Sequence, residues 1–80
     1  MSIVRYLQRI ERIDQLIRLQ ATGTPKELAN RLSLSESVIY QTLAFMKKYG
    51  APIYYNKYLE SYCYEEPCFF VFTFKKKKIE

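Results

Sequence analysis

The chain has 80 residues, thirteen Lys and Arg against eight Asp and Glu, no His, and a formal net charge of +5. That length suits one compact domain, and an apolar share of 49% with only two Gly and three Pro excludes a linker-like or disordered chain. No His stands ready as a general base, the acidic residues show no paired or metal-like spacing, and no glycine-rich phosphate loop occurs, so no enzyme, cofactor, metal site or small-molecule substrate is expected.

Residues 2 to about 21 read as one long helix. Ile3, Tyr6, Leu7, Ile10, Ile13, Ile17 and Ala21 fall on one face, and Arg5, Arg9 and Arg12 on the other. Ser2 is the expected N-cap and Gly23 the expected stop. Asp14 interrupts the apolar face. It can pair with Arg18 four residues on, or meet a donor from a second chain. The charges at Arg5, Arg9 and Glu11 also break any leader-like apolar run. No stretch approaches the roughly 20 apolar residues of a membrane helix. A cytoplasmic protein without a membrane partner is expected.

Thr24-Pro25-Lys26-Glu27 carries a capping box with Pro at the first helical position. It opens a short helix that turns Leu28, Ala29 and Leu32 inward and ends near Ser33. Ser35 then caps a third helix, from about Glu36 to Tyr49, with Ile39, Leu43 and Met46 as its core stripe and Gly50 as its stop. Two helices joined by about three residues make a helix-turn-helix.

Beyond Gly50 the apolar period becomes two. Ile53-Tyr54-Tyr55 and Ser61-Tyr62-Cys63-Tyr64 read as the strands of a hairpin, with Asn56-Lys57 opening its turn. Glu65-Glu66-Pro67 marks a second turn. Residues 69–74 alternate Phe70, Phe72 and Phe74 against Phe69, Val71 and Thr73, and predict a third strand. Cys63 and Cys68 read as reduced strand thiols, with a hairpin disulfide as the alternative. Lys75, Lys76, Lys77 and Lys78 open a basic tail, 75–80, expected to be disordered. Without those four the chain carries nine basic and eight acidic residues. The basic total points to nucleic acid or another anionic surface. The nearly neutral body has few charges to spare for phosphates.

The expected architecture is α+β: a three-helix winged helix-turn-helix over 1–74 with a C-terminal hairpin wing and an extra aromatic strand. The run Glu27-Leu28-Ala29, Leu32, Leu34-Ser35, Ile39-Tyr40, Leu43, Met46 and Gly50-Ala51-Pro52-Ile53, with Tyr55-Asn56-Lys57 and Tyr62 behind it, resembles the winged helix-turn-helix domain of DeoR-like transcription regulators. The likeness spans roughly residues 9 to 64. It implies that the third helix enters the major groove of DNA and that the hairpin touches the neighbouring backbone or minor groove. The family pattern usually has Arg at Ser37 and Gln41, Asp at Thr42, and Gly at Ser33 and Ser61. This chain departs from it at all five, and no ligand-sensing domain follows the wing within these 80 residues.

With Ile39 turned to the core, Ser37, Gln41, Ala44 and Lys48 point away from it. Gln41 has the amide that pairs with adenine, Ser35 and Ser37 can donate to a phosphate or base edge, and Lys47 and Lys48 can meet phosphates. Thr42 and Lys57 complete the candidate DNA-binding set. Tyr54, Tyr55, Tyr58, Tyr62 and Tyr64 crowd the wing, and half of them should face outward. A wing this small cannot bury four phenylalanines alone, so a homodimer through Phe70, Phe72, Ile3 and Leu7 is expected. The sequence therefore points to a small dimeric DNA-binding regulator. A protein-docking module that keeps the winged fold is the alternative, favoured by Glu36, the neutral body and the aromatic surplus.

Overall fold

Ser2 opens the first helix, α1 (Ile3–Arg18), by accepting the Arg5 N–H on its hydroxyl. This computed structural model describes residues 2–77. Ile10, Ile13, Leu16 and Ile17 of α1 are buried, but the apolar stripe reaches the core later than its spacing implies. Ile3 is 74% exposed and Leu7 is half-buried, because none of the described residues covers the first two turns fully. The capping box forms as expected at the start of α2 (Pro25–Leu32): Thr24 Oγ1 accepts from Glu27 N–H, and Glu27 Oε1 accepts from Thr24 N–H at 2.8 Å. The Thr24 N–H, aided by the Thr24 hydroxyl, holds the Glu27 carboxyl below its usual range. Ser35 caps α3 (Glu36–Lys48) in the same manner.

All three helices close in one way. The Ala21, Leu34 and Ala51 N–H groups reach back to the Leu16, Ala29 and Met46 carbonyls, and the residue before each bonds one position further along. This is the Schellman ending, which asks for a left-handed residue at its centre. Only α3 supplies glycine, at Gly50 with φ 105°. Gln20 (φ 55°) and Ser33 (φ 57°) fill the other two. The first helix thus ends at Arg18, three residues before the span its pattern suggests. Gln20 closes it, and Gly23 does not. Gly23 serves the next helix instead: its φ is 74°, and a Cβ there would stand 3.0 Å from Glu27 of the capping box.

The core joins Ile10, Ile13, Leu16 and Ile17 to Leu28 and Ala29 of α2, Ile39, Leu43 and Met46 of α3, and Ile53 and Tyr62 of the hairpin. Truncating one of these aliphatic side chains to Ala would cost about 2–5 kcal/mol. The hairpin pairs β1 (Ile53–Asn56) with β2 (Ser61–Tyr64), antiparallel, with Ile53 opposite Tyr64 and Asn56 opposite Ser61. Asn56 Oδ1 accepts the Tyr58 and Leu59 N–H groups and folds the turn between the strands. The result is an α+β winged helix-turn-helix.

Two polar ties fasten β2 to the helices. Asp14, buried in the apolar face of α1, accepts the Tyr64 hydroxyl at 2.7 Å and the Arg18 Nε–H at 3.1 Å. Pairing with Arg18 was legible in the sequence, whereas the second donor comes from the chain's own wing. Thr22, fully buried, donates its N–H to Ser61 Oγ and accepts the Tyr62 N–H on its own hydroxyl at 2.8 Å.

That second bond explains why the aromatic segment is not a strand. Thr22 occupies the outer edge of β2, where a strand continuing the hairpin would add, and Pro67 starts the segment without an N–H. Among the described residues, 66–77 make no backbone–backbone hydrogen bond. Phe70 packs on the core, while Phe69, Val71, Phe72 and Phe74 are exposed. Cys63 is buried in β2 and Cys68 is half-buried outside any strand, both as free thiols. Lys75, Lys76 and Lys77 are exposed, and Lys78, Ile79 and Glu80 of the expected tail lie outside the described residues.

Three outcomes follow. Thr22→Val strands the Tyr62 N–H and should lower stability by about 1–3 kcal/mol in urea, whereas Thr22→Ser keeps most of it. Gln20→Gly and Ser33→Gly relieve left-handed residues and should each raise stability by about 0.5–1 kcal/mol, read as a higher Tm. Burial, aided by Tyr40, Tyr55 and Glu36, pushes the Tyr62 phenol from 10 up to about 12. Burial first, then the Asp14 carboxylate, pushes Tyr64 higher still. Both hold their protons more tightly folded than unfolded. Stability should therefore be undiminished below pH 10 and fall as the pH rises from 10 through about 12. Urea midpoints at pH 8 and at pH 11 check this, and the drop should shrink in Tyr64→Phe.

Candidate nucleic-acid interface

Leu28 and Ala29 of α2 share a buried cluster with Ile39 and Leu43 of α3, which fixes the second helix of the motif against the third. Ser33, Leu34 and Ser35 make the turn between them. Leu34 packs on the core and Ser33 takes the left-handed conformation that a glycine would adopt freely.

The rotation of α3 about its axis is set by Ile39, Thr42, Leu43 and Met46, all buried. The opposite side carries Ser37, Gln41, Ala44 and Lys48, and all four are exposed. These positions recur at four, three and four residues, so they form a stripe along one face. Ser35, at its head, accepts the Val38 N–H on Oγ and keeps its own proton free to donate. Lys47 and Lys48 lie in the last turn, exposed, where the helix dipole also favours a positive charge. Lys57 is exposed in the turn of the wing.

Thr42 does not belong to this surface. It is 1% exposed, and its hydroxyl donates to the Val38 carbonyl at 2.8 Å. The reason is helical phase: Thr42 sits about 60° from Ile39 on the wheel, on the core side. The polar side chain is accommodated because the carbonyl one turn back satisfies it.

The polar stripe is bordered by aromatics on both sides. Tyr40, half exposed, stands on the border toward the wing, close enough to Tyr62 to help raise its phenol. Phe45 and Tyr49 stand on the other border, their rings 4.7 Å apart, with Tyr6 of α1 meeting Phe45 edge-on at 5.5 Å. Sequence reasoning passed over Tyr40, although its phase, one residue off the core position Ile39, gives it away. In the wing, Tyr62 is buried, Tyr55 meets it edge-on at 5.0 Å, Tyr64 is half-buried on Asp14, and Tyr54 and Tyr58 are exposed. Tyr58, beside Lys57 at the tip, is 99% exposed.

The four residues expected to pair two copies come from opposite ends of the chain, and the fold brings them together. Ile3, Leu7, Phe70 and Phe72 line one groove of about 660 Å³ between the start of α1, the end of α3 and the segment 68–72. This groove lies along the Phe45–Tyr49 border of α3 and leaves the Ser37–Gln41–Lys48 stripe open.

Among the described residues no group of three or more His, Cys, Asp or Glu could hold a metal ion, and no helix is long and apolar enough to cross a membrane. A family model described as an HTH domain matches residues 9–58, from the second turn of α1 into the turn of the wing. It identifies helix-turn-helix domains at large and does not single out the DeoR-like branch. No curated protein and no solved structure matches the chain. With its three helices, its short turn and its two-stranded wing, the chain belongs to the HTH domain family of DNA-binding domains.

Proposed function

We propose that this protein is a small transcription regulator that binds double-stranded DNA by laying α3 in the major groove, acting in the cytoplasm as a pair of copies. The observation that carries this reading is the open stripe on α3: Ser37, Gln41, Ala44 and Lys48 are all exposed, while the chain's own aromatic segment packs elsewhere. Family membership supports the same use of the helix. The DeoR-like likeness around Gly50, Ala51, Pro52 and Ile53 supports a regulator of that kind.

Each residue then has a task suited to its chemistry. The Gln41 amide offers one donor and one acceptor, the pair that matches the major-groove edge of adenine. Ser35 and Ser37 donate hydroxyl protons near the amino end of α3, where the dipole and free N–H groups also favour a phosphate. Lys47, Lys48 and the wing residue Lys57 neutralise phosphates, and Lys75, Lys76 and Lys77 add sequence-independent attraction. Uncharged side chains at Ser37 and Gln41 replace the two arginines of the DeoR-like pattern, so affinity rests on Lys48 at the end of the stripe and on the lysines around it. Two copies would address half-sites roughly 34–36 Å apart, one turn of DNA.

Titration of the intact protein with duplex DNA at 50 and 200 mM salt tests the reading. Affinity should fall steeply between the two. Gln41→Glu and Lys48→Glu should each weaken binding about tenfold or more, equivalent to about 1.4 kcal/mol, with Lys48→Glu also flattening the salt dependence. Thr42→Ser, a change inside the fold, should leave affinity unaltered. Absence of binding at low salt would remove the proposal, and full binding by both glutamate variants would assign the contact to another surface.

A further inference from the structure

The segment that follows the wing is the least settled part of the chain in physical terms. Phe69 is 67% and Phe72 68% exposed, Phe74 is almost fully so, and the backbone over 66–77 forms no backbone–backbone bond among the described residues. It also forms one wall of the groove that Ile3 and Tyr49 line from the other side. Ile3, Phe45, Tyr49, Phe69, Val71 and Phe72, which all line this groove, together leave on the order of 700 Å² of residue surface in solvent at ordinary areas. The largest patch on a typical monomer is about 300–600 Å². One side of a standard protein interface is about 800 Å². The surface left in solvent is therefore comparable to one side of such an interface.

The charges on either side of the segment say which occupant fits. Glu65 and Glu66 precede it, and Lys75, Lys76 and Lys77 follow it, all exposed. Between them runs Phe69-Phe70-Val71-Phe72-Thr73-Phe74, a β-favouring alternation whose backbone N–H and C=O groups are free to pair. A segment that is acidic at its entry and basic at its exit complements a copy of itself running the opposite way. A parallel copy would set lysine against lysine.

We propose that two copies of this protein join by antiparallel self-pairing of residues 69–73, centred on Val71, over their two apolar grooves. In that register Phe70 faces Phe72 across the strands, Phe69 faces Thr73, and Val71 meets its own counterpart on the twofold axis. Glu66 then stands opposite Lys76, and Glu65 opposite Lys77. Directly opposed residues share a face, so the aromatic pairs and the ion pairs form on the sides their alternation requires. The contact is isologous and closes at two copies. The strand predicted from the alternation is thus completed between chains rather than within one. This deepens the pairing of two copies invoked for DNA binding, but it stands on the groove and the segment alone.

The test is the mass of the intact chain in solution by light scattering, without DNA. At about 100 μM the native protein should run at twice its 9.6 kDa. E65K/E66K and K76E/K77E should each run at 9.6 kDa. The fourfold swap, whose net charge is again +5, should return to the dimer, and an equimolar mixture of the two single-sign variants should form a heterodimer. All four positions are exposed, so unchanged far-ultraviolet circular dichroism should show that the fold persists. In a Cys68→Ser background, Val71→Cys should cross-link to its own counterpart under oxidation. A native chain that stays monomeric, or single-sign variants that dimerise as well as the native chain, would overturn the proposal. So would a fourfold swap that fails to restore the dimer. Because mass is read without DNA, such a result leaves the role of α3 standing. A full-sized dimer that ignores DNA would sink only that role.

Discussion

A two-stranded hairpin cannot hold itself together in water. The wing of this protein exists because it is tied to the first helix and to the loop after it. Asp14 takes a hydrogen bond from Tyr64 at one end of β2, and Thr22 exchanges hydrogen bonds with Ser61 and Tyr62 at the other. Both anchors are buried polar groups, and both are fully partnered. Partial pairing would leave a carboxylate or an amide stranded in an apolar setting, at a cost that such a small core could not absorb. The ties therefore do more than add stability. They set where the hairpin stands, and Ile53 and Tyr62 can close the core only when it stands there.

The same economy shapes α3, which serves three neighbours with three faces. Ile39, Leu43 and Met46 hold it to the core, with Thr42 satisfied by its own backbone. Phe45 and Tyr49 turn toward α1 and the groove. Ser37, Gln41 and Lys48 remain open. A thirteen-residue helix has little surface to divide in this way, and the apolar groove and the polar stripe end up side by side without overlapping. Neither surface has to be covered for the other to be used.

Much of this was legible in the residues. The capping box at Thr24, the Ser35 cap, the core stripe of α3 and the change of period after Gly50 are local signals, and each was realised locally. The misreadings arose where a distant group decides the outcome. Gly23 is the expected end of α1 because glycine is the usual left-handed residue, yet Gln20 takes that conformation and the helix closes on the Leu16 and Ile17 carbonyls. The segment 69–74 has the composition of a strand, but a strand needs a free edge, and Thr22 had taken it from forty residues away. Tyr64 as the partner of Asp14 is a contact over fifty residues that no periodicity announces. Among the candidate residues of α3, the helical wheel puts Ser37, Gln41 and Lys48 on the exposed side, where the structure has them. Thr42 was admitted on its polarity against its phase.

Left-handed residues close the first two helices, Gln20 at the end of α1 and Ser33 at the end of α2. A side chain with a Cβ in that conformation holds about 1–2 kcal/mol of local tension that unwinding the adjoining turn would release. The third helix, ending on Gly50, carries none. Amide protons of α2 should accordingly exchange with solvent through smaller openings than those of α3. The element that supports the open helix from behind is then the compliant member of the motif, able to yield slightly while α3 keeps its shape.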